Sequence, residues 1–222
     1  GIGVKRDVKL AVELYTLSAD QGYANAQYNL GGMYYEGIGV EKDVKRAVEL
    51  YTLSADQGDA NAQFNLGVMY QTDQGVKPNF KRAIELLTLS ANQGDADAQF
   101  RLGYTYGEMK DYLAGRSQWV PVEKDAKLAV EWYTLSADQG HDGAQCSLGV
   151  MYMKGEGVEQ DAKRAVELYT LSADQGHANA QFALGVMYML GGGVEQDDKR
   201  AVELYTLSAD QGNAIAQFAL GV

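Results

Sequence analysis

Residues 43–70 read DVKRAVELYTLSADQGDANAQFNLGVMY, and the chain repeats this string, lightly edited, along its length. The pentad SADQG stands at Ser18–Gly22, Ser54–Gly58, Ser90–Gly94 (with Asn92 for Asp), Ser136–Gly140, Ser172–Gly176 and Ser208–Gly212. A Leu-Gly pair keeps step with it at Leu30-Gly31, Leu66-Gly67, Leu102-Gly103, Leu148-Gly149, Leu184-Gly185 and Leu220-Gly221. Both markers advance by 36 residues everywhere but once, where both advance by 46. A period of that length marks a stacked array in which no unit buries its apolar face alone.

Each unit spells two helices. The first opens near an acidic or amide residue (Asp7, Asp43, Asn79, Asp125, Asp161 or Asp197) whose side chain can cap the free amides. Ala11, Leu14, Tyr15 and Ser18 then recur at i, i+3, i+4 and i+7, one helical face. Gly22 and its counterparts end the helix in a left-handed conformation. Tyr23, Asp59, Asp95, His141, His177 and Asn213 precede the second helix, most of them in a capping role. Ala24, Gln27, Leu30-Gly31 and Tyr34 mark its packed face, and a Gly-x-Gly-Val turn leads into the next unit.

Composition excludes more than it assigns. Hydrophobic residues are 46% of the 222 positions, enough for a packed core. No apolar run reaches the roughly 20 residues that span a bilayer. The net charge of −11 accumulates from a small acidic excess per unit, as in residues 37–72, and reads as a solvated outer face. It argues against nucleic acid and anionic membrane surfaces, which require a basic stripe. The single cysteine, Cys146, stands in the slot of Tyr28, Phe64, Phe100, Phe182 and Phe218, and is expected to be a buried, inert thiol. Because the chain opens Gly-Ile-Gly-Val and closes inside a unit, it is read as a segment of a longer protein.

The strings L-G-x-M-Y, G-x-G-V, D-x-K-R-A-V-E-L-Y and S-A-D-Q-G, in register six times, resemble the Sel1-like repeat family, a relative of the tetratricopeptide repeats. Trp132, followed by Tyr133, matches the W-Y that the family often places there. The resemblance implies an all-α fold: a right-handed α-solenoid of about six helix-turn-helix units. The single array is divided approximately into residues 1–36, 37–72, 73–118 (with the insertion), 119–154, 155–190 and an incomplete 191–222.

The units differ chiefly at four slots of the second helix, spaced i, i+4, i+7 and i+11, which fall on one stripe. The first unit has Asn25, Asn29, Gly32 and Glu36 there, the second Asn61, Asn65, Val68 and Thr72. Later units carry Asp97, Arg101, Tyr104 and Glu108, then Gly143, Ser147, Val150 and Lys154. The last two carry Asn179, Ala183, Val186 and Leu190, then Ile215, Ala219 and Val222. By the resemblance this helix lines the concave surface, so the stripe grades from polar to apolar along a channel suited to a peptide or helix. Equally, the apolar end is a surface that a further unit covers. The ten extra residues bring Tyr112, Arg116 and Trp119, side chains enriched at binding hot spots, with Pro121 in the slot of Gly39. Either they form a binding loop or they are a neutral expansion, with Trp119 closing a helix end.

Catalytic chemistry is not spelled out. His141 and His177 occupy a capping slot about 10 Å apart, too far to share a metal. Gly191-Gly192-Gly193 is a repeat turn without the Lys-Ser/Thr of a phosphate loop. The expected function is a non-enzymatic scaffold, without metal or cofactor. It would present Asn65, Arg101, Tyr104, Val150, Val186 and Leu190 on a groove, and Tyr112, Arg116 and Trp119 on a loop, to a protein or peptide. The competing expectation is a spacer locked into a larger, membrane-associated or other assembly through its apolar end; alone it would aggregate or dimerise, whereas a scaffold would stay monomeric. The resemblance also brings a third implication, β-lactam binding by cysteine-rich relatives, whose paired cysteines this chain lacks.

Overall fold

The computed structural model describes residues 7–108 and 124–221, and among them only helices, turns and loops occur. The helices are α1 (Val8–Asp20), α2 (Ala24–Glu36), α3 (Val44–Asp56), α4 (Ala60–Thr72), α5 (Phe80–Asn92), α6 (Ala96–Glu108), α7 (Ala126–Asp138), α8 (Asp142–Lys154), α9 (Ala162–Asp174), α10 (Ala178–Leu190), α11 (Asp198–Asp210) and α12 (Ala214–Leu220). The all-α repeat architecture expected from the sequence is therefore the one adopted. The chain divides into two compact units, residues 1–98 and 99–222, with the division in the first turn of α6.

Helix boundaries follow local chemistry. Asp43 Oδ1 accepts the Arg46 amide at 3.0 Å, and Asp161 Oδ1 those of Lys163 and Arg164 at 3.0 Å. Before the second helices, Asp59 and Asp95 accept amides three residues on, and so do His141 and His177 through Nδ1. Tyr23 makes no such bond. At the C-terminus of α1, Gly22 has φ +87°, its amide donates to the Ala19 carbonyl, and the Tyr23 amide reaches back to Ser18. This pair of bonds is a Schellman closure, for which a residue without Cβ is the least strained. The turn after α4 uses Asp73 (φ 60°) where Gly37 stands after α2; a short polar side chain tolerates the left-handed region better than most.

In the first unit, the second helix of one repeat packs more extensively on the first helix of the next than on its own partner. Gly31 allows this approach, since a Cβ there would lie 3.0 Å from the Tyr51 ring. Tyr28 meets the same ring at a centroid distance of 5.8 Å. Ser54, wholly buried, donates its hydroxyl to the Ala24 carbonyl at 2.9 Å. Ala24 itself is only half-buried. The buried alanine of this face is Ala26, a correction to the sequence reading, because Ala24 approaches the neighbouring helix through its carbonyl rather than its methyl. Gln27 is buried and accepts a 2.7 Å bond from Gln57, and Gln63 likewise accepts from Gln93 at 2.8 Å.

The second unit repeats the plan. Tyr133, Tyr169 and Tyr205 lie against Gly103, Gly149 and Gly185. Phe100 and Phe182 pair with Tyr133 and Tyr205 at 5.9 and 5.4 Å. Gln139, Gln175 and Gln211 donate to the buried Gln99, Gln145 and Gln181 at 2.7–2.8 Å. Each junction between repeats thus combines an apolar contact with a side-chain amide pair.

Candidate interaction face

The variable stripe lies beside these junctions, and none of its residues with a described side chain is buried. In the first unit, Asn25, Asn29 and Asn61 are exposed, whereas Asn65 is half-buried. Asn65 hydrogen-bonds the Tyr51 hydroxyl, whose ionisation burial pushes up to about 12. One of the expected binding residues therefore also anchors a junction.

In the second unit, Arg101 is half-buried at the start of the stripe and Tyr104 is exposed one turn further on. Val150 and Ala183 are half-buried and pack against the core that contains Tyr169 and Leu184. Val186 is half-buried, while Leu190 is 75% exposed at the end of α10. Ile215 on α12 is also exposed. The four second-unit slots thus range from a cation and a phenol on α6 to aliphatic groups on α10 and α12. Tyr112, Arg116, Trp119 and Pro121 lie outside the described residues.

Two features went unread in the sequence. One is the pairing of each buried, packed-face Gln with a Gln of the following first helix. The other is a leucine of the T-L-S triplet, about half exposed or more on every first helix: Leu17, Leu53 and Leu89 in the first unit, Leu135, Leu171 and Leu207 in the second. Its invariance was the available signal, since it lies off the i, i+3, i+4, i+7 face that packs.

The histidines are explained by capping. His141 Nδ1 accepts the Ala144 amide at 3.1 Å, and its ring stacks on Phe100 at 4.5 Å. Among the described residues no group of three or more His, Cys, Asp or Glu is placed to hold a metal. No described helix is long and apolar enough to cross a membrane.

Burial pushes the Cys146 thiol from an ordinary 9.0 up to about 11. Two results are expected. A thiol reagent at pH 7 should label Cys146 only as fast as the chain unfolds, because the reactive thiolate is scarce and covered. The raised value also means that the contribution to stability is full below pH 9 and is lost as pH rises through about 11. A melting temperature that falls over this range, and falls less steeply in Cys146→Ala, is the expected observation; identical profiles would refute it.

The Sel1 repeat model matches residues 1–23, 24–59, 60–95, 96–141, 143–177 and 178–213, each full frame running from a second helix to the following first helix. Among solved structures, the chain is 37% identical to c5321, a protective antigen of uropathogenic Escherichia coli displaying an SLR fold (TM-score 0.86). That match covers 98% of this chain but 44% of the antigen, so the chain spans less than half of that relative's length. A Sel1 repeat protein from Oxalobacter formigenes is 32% identical over 97% of this chain and 87% of its own (TM-score 0.80). The immunity protein Pa5087 of Pseudomonas aeruginosa is 25% identical over 94% of this chain and 76% of its own (TM-score 0.53). No curated protein matches. The chain belongs to the Sel1 repeat family. Sel1 repeat proteins generally mediate protein–protein interactions, and their scaffold is generally non-catalytic.

Proposed function

We propose that this chain is a non-enzymatic scaffold whose second-helix stripe receives a protein or peptide partner. One observation carries the reading. Within a chain whose repeat junctions barely vary, the differences between units collect on an accessible stripe. Packing restrains the junctions, whereas the stripe is free to take side chains suited to a ligand. Arg101 and Tyr104 supply the residue types most often found at hot spots. Val186 and Leu190 supply an apolar surface for a partner's aliphatic face.

The test is affinity capture with the native chain beside three variants: Arg101→Glu/Tyr104→Ala, Val186→Asp/Leu190→Asp and Arg116→Ala/Trp119→Ala. Circular dichroism verifies that each remains helical. Loss of a partner from a folded stripe variant, by tenfold or more, is the expected outcome and corresponds to about 1.4 kcal/mol. If all variants retain every partner equally, the stripe and the insertion are structural.

The spacer reading is favoured by a different observation, the exposed apolar side chains of α12 that lie off the stripe, Phe218 and Leu220. It requires that face, and not the stripe, to make the biologically relevant contact.

A further inference from the structure

The first helices of the second unit carry a regular surface on the side turned away from the core. In α9, Arg164, Glu167, Leu171 and Asp174 fall at i, i+3, i+7 and i+10, one line along the helix, and all four are exposed. Arg164 is held by Glu167 at 2.6 Å, so the half of the helix beyond them shows an apolar group and a carboxylate. α11 repeats this with Leu207 and Asp210, Arg200 lying 2.9 Å from Glu203, and α7 carries Leu135 and Asp138. Among the described residues no ion pair neutralises Asp138, Asp174 or Asp210. The first unit has the leucines but not the full set of free acids: Asn92 follows Leu89, and Arg82 lies 3.9 Å from Asp56.

One exposed leucine needs no explanation. This is a row with a fixed period. Leu53 and Leu171, each flanked by a repeat before and a repeat after, are both 52% exposed, and Leu89, Leu135 and Leu207 are 48–50% exposed. The exposure therefore belongs to the repeat itself. The acid that accompanies each leucine stands in the last helical turn, where the macrodipole disfavours an anion and no basic residue offsets it. It does not serve its own helix. Successive first helices lie side by side: Gln175 reaches the Gly140 carbonyl at the close of α7 at 3.0 Å, and Gln211 reaches the Gly176 carbonyl at the close of α9 at 2.8 Å. Neighbouring helix axes stand about 8–10 Å apart, so the leucines recur at about that spacing.

We propose that Leu135, Leu171 and Leu207, with Asp138, Asp174 and Asp210, form a docking face for a cationic amphipathic helix that lies across α7, α9 and α11. Seven residues of helix rise about 10.5 Å, so a partner with one apolar residue per heptad sets one against each leucine in turn. A Lys or Arg one turn from each apolar residue then meets the acid beside that leucine. Charge complementarity selects this occupant. A second copy would bring the same acids against one another, and the anionic headgroups of a membrane would meet them with like charge. The face lies on first helices and the variable stripe on second helices, so this site does not depend on the stripe.

The experiment is fluorescence anisotropy of the whole chain with a labelled helical peptide of about three heptads. The peptide carries one leucine per heptad, arginines three and four residues from each leucine, and alanine or glutamine elsewhere. It should bind, and more weakly as salt is added. Leu135→Gln/Leu171→Gln/Leu207→Gln, verified as folded by circular dichroism, should lose about tenfold or more in affinity. Asp138→Asn/Asp174→Asn/Asp210→Asn should also weaken binding and flatten its salt dependence. Tyr104→Ala/Leu190→Ala, a neutral change on the stripe, should bind as the native chain does. A peptide of the same composition with its leucines dispersed around the helix should bind about tenfold more weakly, which separates docking from attraction to the net charge of −11. Absence of binding overturns the proposal, as does equal binding of the dispersed peptide or full affinity in the leucine variant. Self-association in sedimentation velocity, or binding to phosphatidylcholine–phosphatidylserine vesicles, that is lost in the leucine variant would assign the row to a second copy or to a lipid surface and overturn it too.

Discussion

Gly157→Ala should destabilise the chain by about 2–5 kcal/mol, whereas Gly176→Ala should cost only about 1–2 kcal/mol. Both glycines have left-handed backbones, φ +73° and +90°, so both substitutions incur the strain of placing an L side chain there. They differ in what the new methyl would meet. Around Gly176 there is nothing within 4 Å. At Gly157 the methyl would fall on the carbonyl group of Ala126 and 2.9 Å from the Lys127 amide nitrogen. These are backbone atoms in the first turn of α7, and no rotamer change can move them aside. Relief requires lifting the turn from the helix, an overpacking cost of about 1–3 kcal/mol added to the conformational one. Gly75 is the intermediate case: its methyl would strike the Val44 side chain, which can rotate. Urea unfolding of the three variants should therefore rank Gly176 below Gly75 and Gly75 below Gly157. Equal costs at Gly157 and Gly176 would mean that the Gly-x-Gly-Val turn does not dock on α7.

Those turns were legible in the sequence because their chemistry is local. A Gly after S-A-D-Q and an Asp before K-R-A-V each act within four residues, so helix starts and stops could be placed without knowledge of neighbours. The junctions were legible only in outline. Periodicity puts Gln27 and the Ser54-type serine on packed faces and Leu53 off them, but it does not show that Gln27 is buried in an amide pair or that Ser54 bonds the preceding repeat. Repetition records that a residue is required; it does not record which neighbour requires it. The stripe could be found by comparing units, since variation survives where packing is slack. The engagement of Asn65 by Tyr51 could not, because it joins residues on different helices through a contact that only the folded junction creates.

Gln63→Leu should cost about 2–3 kcal/mol despite nearly matching the native side chain in volume. Gln63 is 4% exposed, accepts from Gln93 at 2.8 Å and donates to the Ala55 carbonyl at 3.1 Å. Leucine fills the space but offers neither bond. The Ala55 carbonyl still accepts the Gly58 amide, and Gln93 still reaches the Gly58 carbonyl at 3.0 Å, so the loss falls short of two fully orphaned groups. Gln93→Leu, made at an exposed position, should cost about 1 kcal/mol. The double variant decides the matter. Removing both amides eliminates the unsatisfied partner, so it should be less destabilised than the sum of the singles by about 1 kcal/mol or more. Junction energy also sets how repeats unfold together, because the stability of a stacked array is approximately a sum of unit and nearest-neighbour terms. The Gln63→Leu transition in urea should accordingly broaden as well as shift, with α1–α4 and the helices from α5 onward ceasing to melt as one. Strict additivity with an unchanged slope would show instead that the Gly–Tyr contacts hold the repeats together and that the amide pairs merely follow from that packing.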